Sequence, residues 1–315
     1  MPKEAIIVGS RDSELALIQA YYVIAELQKR FPEFAFPLIK IKTEGDRILD
    51  VALAKIGGKG LFVKEIESAL LAGEIDLAVH SMKDVPTALP KGLMIAAVTA
   101  REDPRDCFIA LDGKTKLAEL REGAVVGTSS LRRSAQLLHL RPDLQIVPLR
   151  GNLNTRFRKL REMALDGIVL AFAGVSRLGW SDRVAEIISY ERSLPAAGQG
   201  ALGIETRAGD ERTNRVVSFL DDQAARAAVT AERALLRTLE GGCQVPIGAY
   251  GRLEDGELVL DGVVAGLDGK KVVRGQSSGD VKEAVALGER LAEELLGRGA
   301  AEILIQARQE CGSHA

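Results

Sequence analysis

The chain has 315 residues, enough for two or three domains with buried cores, and its 46% hydrophobic and 27% charged residues are typical of a globular protein. The formal net charge of -2 argues against a chain built as a whole to bind nucleic acid or an anionic membrane. No apolar run approaches the roughly 18 residues of a membrane span and no signal-peptide core is visible, so we expect a cytoplasmic protein with reduced thiols.

The N-terminal segment predicts the first strand and helix of an α/β fold. Ala5–Gly9 is apolar, and a helical pattern follows Ser13, which is a plausible N-cap. The turn between this strand and this helix places Arg11 at the carboxyl edge of a sheet, where open α/β folds bind anions. A capped helix with a solvated arginine explains the same residues equally well.

A glycine-rich basic loop follows the second strand. It contains Lys55, Lys59 and Gly60, but a Walker A loop requires Ser or Thr after the lysine, so a nucleotide-binding loop is excluded. We interpret the loop as a mobile basic cover near a site, leading into a helix over Leu61–Leu71.

Charged residues follow the next apolar strand, Ile75–Val79. Side chains at a strand end in an α/β unit point into the binding crevice more often than charges elsewhere do. Because Pro86 stops regular structure just beyond it, Asp84 is the first candidate for a catalytic carboxylate. His80 is interpreted as structural.

Arginines cluster in a second α/β unit, after a polar crossing over residues 99–106 that we interpret as a domain boundary. Residues 128–177 carry nine cations against three anions, a net charge of +6. The arginines recur at strand-to-helix turns, so we expect them to converge on one crevice. The planar guanidinium group of an arginine binds carboxylate or phosphate through two hydrogen bonds. A small polyanionic ligand is therefore expected.

The remaining segments predict a hinge and a small α+β domain. Gly198–Gly203 spells G-x-G-x-x-G, but it follows Pro195 and leads into a strand, so a dinucleotide fingerprint is excluded and a second hinge is favoured. Beyond residue 222, helices and three strands form the C-terminal domain.

Cys243 lies behind two glycines in this last region and has no sequence partner that would suggest a disulfide or zinc site. Such a cysteine is either a small buried hydrophobe or, because paired glycines leave the backbone accessible, a thiol that a large group can reach.

Six segments in chain order together resemble the porphobilinogen deaminase (hydroxymethylbilane synthase) family, from about residue 5 to about residue 250. They are Gly9-Ser10-Arg11-x-Ser13, Gly57-Gly58-Lys59-Gly60-Leu61-Phe62, His80-Ser81-Met82-Lys83-Asp84, Gly127-Thr128-Ser129-Ser130-Leu131-Arg132-Arg133, Arg150-Gly151-Asn152-x-x-Thr155-Arg156 and Gly241-Gly242-Cys243-Gln244-x-Pro246.

The resemblance implies an α/β protein with two domains similar to the type II periplasmic-binding-protein fold and a C-terminal α+β domain with a three-stranded antiparallel sheet. With the two crossings, it divides the chain into residues 1–99 with 200–219, residues 105–194 and residues 222–315. It also implies a transferase of haem biosynthesis that condenses four porphobilinogen molecules head to tail on a covalent dipyrromethane cofactor, loses ammonia at each step and finally releases the linear tetrapyrrole by hydrolysis.

The resemblance assigns roles residue by residue. Cys243 matches the cofactor attachment site and Asp84 the catalytic carboxylate, which would stabilise the cation left when ammonia departs. Lys55, Lys59 and Phe62 match the mobile loop. The residues implied to bind the carboxylates of the cofactor and the growing chain are Arg11, Ser13, Lys83, Thr128, Ser129, Ser130, Arg132, Arg133, Arg150, Arg156, Arg177 and Gln199.

Three alternatives stay open at this point: a non-catalytic anion-binding protein, a nucleic-acid-binding protein and a thiol hydrolase. A covalent adduct on Cys243 would exclude the first. The +6 window contains only two aromatic residues, Phe157 and Phe172, which disfavours the second, and no well-placed histidine supports the third. We therefore expect a monomer that binds a small-molecule substrate and neither metal, nucleic acid nor membrane.

Overall fold

The protein is represented by a computed structural model that describes residues 4–47, 63–239 and 245–313. The helices are α1 (Glu14–Arg30), α2 (Glu44–Arg47), α3 (Lys64–Ala72), α4 (Leu131–Leu140), α5 (Leu153–Glu162), α6 (Phe172–Arg177), α7 (Glu211–Val217), α8 (Gln223–Thr238), α9 (Ala284–Leu295) and α10 (Ala301–Ser313). The strands are β1 (Glu4–Ala5), β2 (Val8–Arg11), β3 (Phe34–Ala35), β4 (Leu38–Ile41), β5 (Leu77–Ser81), β6 (Leu93–Val98), β7 (Asp106–Ala110), β8 (Val125–Gly127), β9 (Gln145–Val147), β10 (Gly167–Ala171), β11 (Glu186–Ile187), β12 (Leu202–Arg207), β13 (Ile247–Glu254), β14 (Glu257–Ala265) and β15 (Val272–Gly279).

The described residues form two compact units. Unit 1 contains residues 4–47, 63–102 and 201–226, and unit 2 contains residues 103–200, 227–239 and 245–313. The chain therefore leaves unit 1 once, returns for one strand and two helical segments, and leaves again. None of the described helices is long and apolar enough to cross a membrane.

Unit 1 is built on a five-stranded sheet with the order β4-β2-β5-β12-β6. Strand β2 pairs in parallel with β4 and β5, whereas the returning strand β12 runs antiparallel to β5 and β6. Because side chains alternate across a strand, Leu77 and Val79 pack against α1 on one face and Ala78 packs against α3 on the other. Helices on both faces leave the strand ends as the accessible edge.

Unit 2 contains a second five-stranded sheet, β11-β7-β10-β8-β9, and the antiparallel sheet β13-β14-β15. Strand β8 pairs in parallel with β9 and β10, and β7 runs antiparallel to β10. Phe108 lies in one hydrophobic cluster of the first sheet and its neighbours Cys107 and Ile109 lie in the other, so this sheet too is covered on both faces.

The predicted fold class is confirmed: the chain is mixed α/β, with two α/β sheets and a C-terminal three-stranded antiparallel sheet. The longest strand that the sequence analysis did not predict is β7, because we interpreted residues 99–106 as a polar crossing between domains. Asp106 is instead the first residue of a fully buried strand.

Candidate functional site

A pocket opens in unit 1 at the carboxyl ends of β2 and β5, with about 400 Å³ of open space. Its lining residues are Arg11, Ser13, Leu15, Ala16, Gln19, Val63, Val79, His80, Ser81 and Asp84. Since β2 and β5 are parallel neighbours, the predicted residues Arg11, Ser13 and Asp84 reach the same edge of one sheet. The structure thus brings these three sequence candidates together.

Asp84 is held by a short 3-10 turn that follows β5. The turn comprises Met82–Asp84, and Met82 is buried and donates its backbone N–H to the Ala201 carbonyl oxygen at 3.0 Å. The Val85 N–H closes the turn on the Met82 carbonyl oxygen at 3.2 Å. Asp84 is half-buried and lines the pocket, and its backbone is held in place by these hydrogen bonds.

Polar side chains outside the predicted set of site residues support this pocket, among them His80, which the sequence analysis interpreted as structural. Gln19 is buried on α1, and its amide nitrogen lies 3.1 Å from the Ser81 hydroxyl oxygen. His80 Nε2 lies 3.0 Å from Glu205 Oε2 on the neighbouring strand β12. The sequence signal that could have indicated the contact between Gln19 and Ser81 is a glutamine on the apolar face of a predicted helix. Ser13 lies at the N-cap of α1 as predicted, without a side-chain capping hydrogen bond.

In unit 2, Arg132 and Arg133 converge on one buried carboxylate. Arg132 Nη1 lies 2.7 Å from Asp106 Oδ2, and Arg133 Nη2 lies 2.8 Å from Asp106 Oδ1. All three side chains are buried. From their position at a turn, Arg132 and Arg133 were predicted to bind a ligand. In the structure both guanidinium groups contact Asp106, a partner that the sequence did not indicate.

Two cations share one anion in this cluster, and the direction of each pKa shift reflects that sharing. Burial alone would raise the pKa of Asp106, but the charges of Arg132 and Arg133 outweigh it and hold the pKa well below its usual range. Burial lowers the pKa of Arg132, and the single Asp106 charge does not offset it. The cluster therefore carries a net positive charge that a further anion would stabilise.

Gln199 belongs to the same network. Its amide nitrogen donates to the Pro104 carbonyl oxygen at 2.6 Å and to Asp106 Oδ1 at 2.9 Å, and the side chain is 1% exposed. Gln199, which was predicted to donate a hydrogen bond to the ligand, thus contacts Asp106 and the polar crossing over residues 99–106.

The remaining predicted arginines of unit 2 lie in the segments that follow its parallel strands, with Arg156 in α5 and Arg177 at the end of α6. Arg150 follows β9 and is half-buried, and its buried Nη1 has no hydrogen-bond partner among the described residues. Arg156 Nε donates to the Gly151 carbonyl oxygen at 2.8 Å, and Arg177 Nη2 donates to the Gly200 carbonyl oxygen at 2.8 Å. A guanidinium nitrogen that is shielded from water and lacks an acceptor is suited to an incoming carboxylate.

The hydroxyl residues before α4 also lie where predicted. The Ser130 hydroxyl accepts a hydrogen bond from the Arg133 N–H and caps the helix, and the Thr128 hydroxyl accepts one from the Ser130 N–H at 3.2 Å. Ser129 is exposed and Lys83 is half-buried. Four predicted residues, Lys55, Lys59, Phe62 and Cys243, lie outside the described residues.

Comparisons with known proteins agree on one family. The model for "Porphobilinogen deaminase, dipyromethane cofactor binding domain" matches residues 6–215, and the model for "Porphobilinogen deaminase, C-terminal domain" matches residues 226–297. The chain is 55% identical over 308 residues to porphobilinogen deaminase from Carboxydothermus hydrogenoformans, covering 98% of this chain and 99% of the relative. It is 57% identical over 306 residues to the same enzyme from Desulforudis audaxviator, covering 97% and 99%.

Solved structures are also similar at low identity. The periplasmic aliphatic sulphonate binding protein SsuA from Escherichia coli matches with a TM-score of 0.43 and 13% identity, covering 98% of this chain and 92% of that protein.

Proposed function

Because the chain belongs to the porphobilinogen deaminase family, we propose that its two groups of site residues divide the reaction between them, with Asp84 catalytic and the arginines of unit 2 binding carboxylates. The chain is a transferase of tetrapyrrole biosynthesis that condenses four porphobilinogen molecules on a dipyrromethane cofactor, releases ammonia and hydrolyses off hydroxymethylbilane. The assignment of these steps to individual residues is the proposal.

One observation carries the catalytic part of the proposal, the anchored position of Asp84 at the mouth of a pocket that also contains Arg11. Loss of ammonia from the aminomethyl group leaves positive charge on the substrate's pyrrole. A preorganised carboxylate stabilises such charge more strongly than water does. Asp84 is also placed to take the proton released when the ring regains its aromaticity. Arg11 and Ser13 would bind the substrate's carboxylates from the same edge.

The residues of unit 2 fit a polycarboxylate cofactor. Within residues 4–47, 63–239 and 245–313, the net positive cluster of Arg132, Arg133 and Asp106 has no second anion, and the buried donor Arg150 Nη1 has no acceptor. The hydroxyls of Thr128, Ser129 and Ser130 follow β8, while Arg156 lies in α5 and Arg177 at the end of α6. When bound, the dipyrromethane supplies the free pyrrole position to which the first substrate is joined.

Cys243 is proposed to hold the cofactor covalently, with Lys55, Lys59 and Phe62 in a loop that covers the site. Lys83 would add a hydrogen bond to a carboxylate, whereas both N–H donors of the Gln199 amide are used by the Pro104 carbonyl oxygen and Asp106. A permanent tether keeps every intermediate bound through four cycles, which reversible affinity would not guarantee.

Intact-protein mass spectrometry tests the tether. The purified wild-type protein should carry the added mass of one dipyrromethane, and Cys243→Ser should have the mass of the unmodified chain. Cys107→Ser is the matched control, because Cys107 is a free cysteine buried in β7 and should leave the adduct in place. An adduct that survives in Cys243→Ser would contradict the assignment.

We also propose that the enzyme is a cytoplasmic monomer that binds neither nucleic acid nor membrane. The part of this proposal that concerns nucleic acid is supported by the burial of Arg132 and Arg133 against Asp106, since arginines that bind a phosphate backbone lie on the exposed surface. Separate hydrophobic clusters in the three main sheets support the division into domains 1–99 with 200–219, 105–194 and 222–315.

A further inference from the structure

The backbone of Leu194 is held by two side chains of helix α4. The amide of Gln136 pairs with both polar groups of this residue: its Oε1 accepts the Leu194 N–H at 2.8 Å, and its Nε2 donates to the Leu194 carbonyl oxygen at 3.1 Å. Arg132 Nη1 donates to the same carbonyl oxygen at 2.7 Å. All three residues are at most 5% exposed, so water does not compete for these hydrogen bonds.

Glutamine is the side chain that suits this pairing. A side-chain amide offers an acceptor and a donor, which match the N–H and the carbonyl group of one residue. A glutamate would face the carbonyl oxygen with a second acceptor, and an apolar side chain would leave both backbone groups unsatisfied in the interior. Gln136 Nε2 also donates to the Arg132 carbonyl oxygen at 3.2 Å. Both hydrogens of Nε2 are therefore used within the protein, and Gln136 acts through its neighbours.

The Leu194 carbonyl oxygen in turn fixes the plane of the Arg132 guanidinium group. Nη1 donates one hydrogen to Asp106 Oδ2 at 2.7 Å and the other to Leu194. Because the guanidinium group is planar and rigid, two contacts at one nitrogen set the direction of its other N–H groups. Nη2 makes only a long contact of 3.4 Å with Asp106 Oδ1, and Nε takes part in none of these contacts. The edge formed by Nε and Nη2 is thus the one that they use least.

Strand β13 limits the movement of Leu194 from another side. Gly248 lies so close that a Cβ added to it would be 2.9 Å from both the Leu194 carbonyl oxygen and Leu194 Cβ. The Ala249 N–H donates to the carbonyl oxygen of the next residue, Pro195, at 2.9 Å. The Leu194 carbonyl oxygen is therefore held by α4 and confined by β13.

We propose that Gln136 is a positioning residue of the cofactor site: by fixing the Leu194 carbonyl oxygen, it orients the Arg132 guanidinium group toward a carboxylate of the dipyrromethane. A guanidinium group binds a carboxylate best through two parallel hydrogen bonds, which requires a defined plane. Holding that plane before the ligand arrives removes the entropic cost of ordering the side chain on binding. The inference rests on the proposed role of Arg132 in binding the cofactor.

Gln136→Met tests the proposal, because methionine is similar in length and volume but lacks the amide. It should lower cofactor content or, in the adduct-bearing enzyme, kcat/KM by about tenfold, the scale of one hydrogen bond to a charged group. Arg141→Met is the matched control: Arg141 directly follows α4 and donates to the carbonyl oxygens of Leu117 and Leu120. It should keep wild-type activity well below its thermal midpoint. Wild-type values in Gln136→Met, or equal losses in both variants, would overturn the proposal.

A double variant separates positioning from a general loss of stability. Arg132→Lys keeps a positive charge beside Asp106 but has no planar group to orient. If Gln136 acts through the guanidinium group, Gln136→Met should lower the same quantity about tenfold in the wild-type background and less than about threefold in the Arg132→Lys background. Equal fold-losses in the two backgrounds would show that Gln136 has only a structural role.

Arg132→Leu, measured alone, tests the proposed role of Arg132 itself. Asp106 keeps Arg133 as its counterion in this variant, so the chain should fold. Wild-type cofactor content and turnover would refute the binding role of Arg132. A loss in Arg132→Leu together with wild-type values in Gln136→Met would refute only the role of Gln136.

A second substitution keeps the test decisive if Gln136→Met does not fold. Gly248→Ala should displace the Leu194 carbonyl oxygen from the side of β13 while Gln136 stays in place. Gly251→Ala is its matched control, because on the same strand the added Cβ would lie 2.9 Å from the Ala228 carbonyl oxygen. Crowding should lower both thermal midpoints, but only Gly248→Ala should lower cofactor content or kcat/KM by about tenfold. Equal losses in the two variants, or no loss in Gly248→Ala, would contradict the proposal.

Discussion

Asp106 is the residue on which the arginine cluster of unit 2 depends. It is fully buried at the start of β7 and accepts hydrogen bonds from Arg132, Arg133 and Gln199. Without its charge, two guanidinium groups would be buried with no counterion. Removing one partner of a buried ion pair is far more costly than replacing the whole pair by apolar groups.

We therefore predict that Asp106→Asn lowers the free energy of unfolding by about 3–5 kcal/mol at neutral pH. The pH dependence follows from the lowered pKa of Asp106: its stabilising contribution is complete above the ordinary pKa of 3.8 and is lost as the pH falls toward the lower folded value. The difference between wild type and variant should thus be constant above about pH 4 and shrink below it. Urea unfolding at several pH values measures it, and a difference that grows at acid pH would contradict the assignment.

Replacing Arg150 should affect activity more than stability, because the part of the chain that the structure describes offers no acceptor to its buried Nη1. Arg150→Leu should lower kcat/KM or cofactor content by about tenfold to a hundredfold, the equivalent of one or two charge-assisted hydrogen bonds. The thermal midpoint should change little. Arg158→Leu is the control, since Arg158 is exposed on α5 and pairs with Glu162. Equal losses in both variants would show that general positive charge, not the Arg150 position, is what matters.

The sequence indicated the site residues that act through local geometry and missed those that act through distant contacts. Arg11 ends strand β2, and Asp84 and Arg150 follow β5 and β9, so their positions relative to the predicted strands indicated a place at a sheet edge. Asp106 lies 26 and 27 positions from the arginines that it binds, in a segment whose polar composition predicts a crossing. No spacing rule connects such residues.

At the scale of elements, strands and helices with strong patterns were predicted to within a few residues. The strand predicted at Ile75–Val79 is β5, Leu77–Ser81, and the helix predicted to follow Ser13 is α1, Glu14–Arg30. Strand β11 escaped prediction because it has only two residues, and β7 escaped because it begins with a charged residue at the end of a polar segment. Their strand conformation is set by antiparallel pairing with distant segments, not by their own composition.

Helices α8 and α9 pack so closely in unit 2 that one position must be glycine. A Cβ added at Gly288 would lie 2.3 Å from the Ala231 carbonyl oxygen and 2.7 Å from Ala234 Cβ. Because the nearest obstacle is backbone, Gly288→Ala should separate the helices and cost about 3 kcal/mol, at the upper end of overpacking effects. Gly297→Ala, where nothing lies within 4 Å, should leave the thermal midpoint unchanged or slightly raised. Similar midpoints for both variants would contradict the predicted packing.

At the scale of the whole molecule, unit 2 joins the arginine-bearing sheet to the C-terminal sheet. Tyr190 stacks on Tyr250 with ring centroids 4.0 Å apart, and the Ala249 N–H donates to the Pro195 carbonyl oxygen at 2.9 Å. Arg274 donates to the Tyr190 carbonyl oxygen at 2.6 Å. The sequence predicted the crossings of the chain but not these contacts, which depend on side chains far apart in sequence.

The two proposed functions therefore belong to different parts of the chain. The arginines proposed to bind the cofactor lie in unit 2, and Asp84 lies in unit 1. A substitution at Asp84 should accordingly leave the cofactor attached while removing the charge that the condensation requires.

Turnover and intact mass of Asp84→Ala test this division most directly. The variant should fold, carry one dipyrromethane and lose turnover of porphobilinogen by at least about a hundredfold, the scale of a preorganised electrostatic and acid-base contribution. Near-normal turnover with the adduct in place would remove Asp84 from the centre of the mechanism.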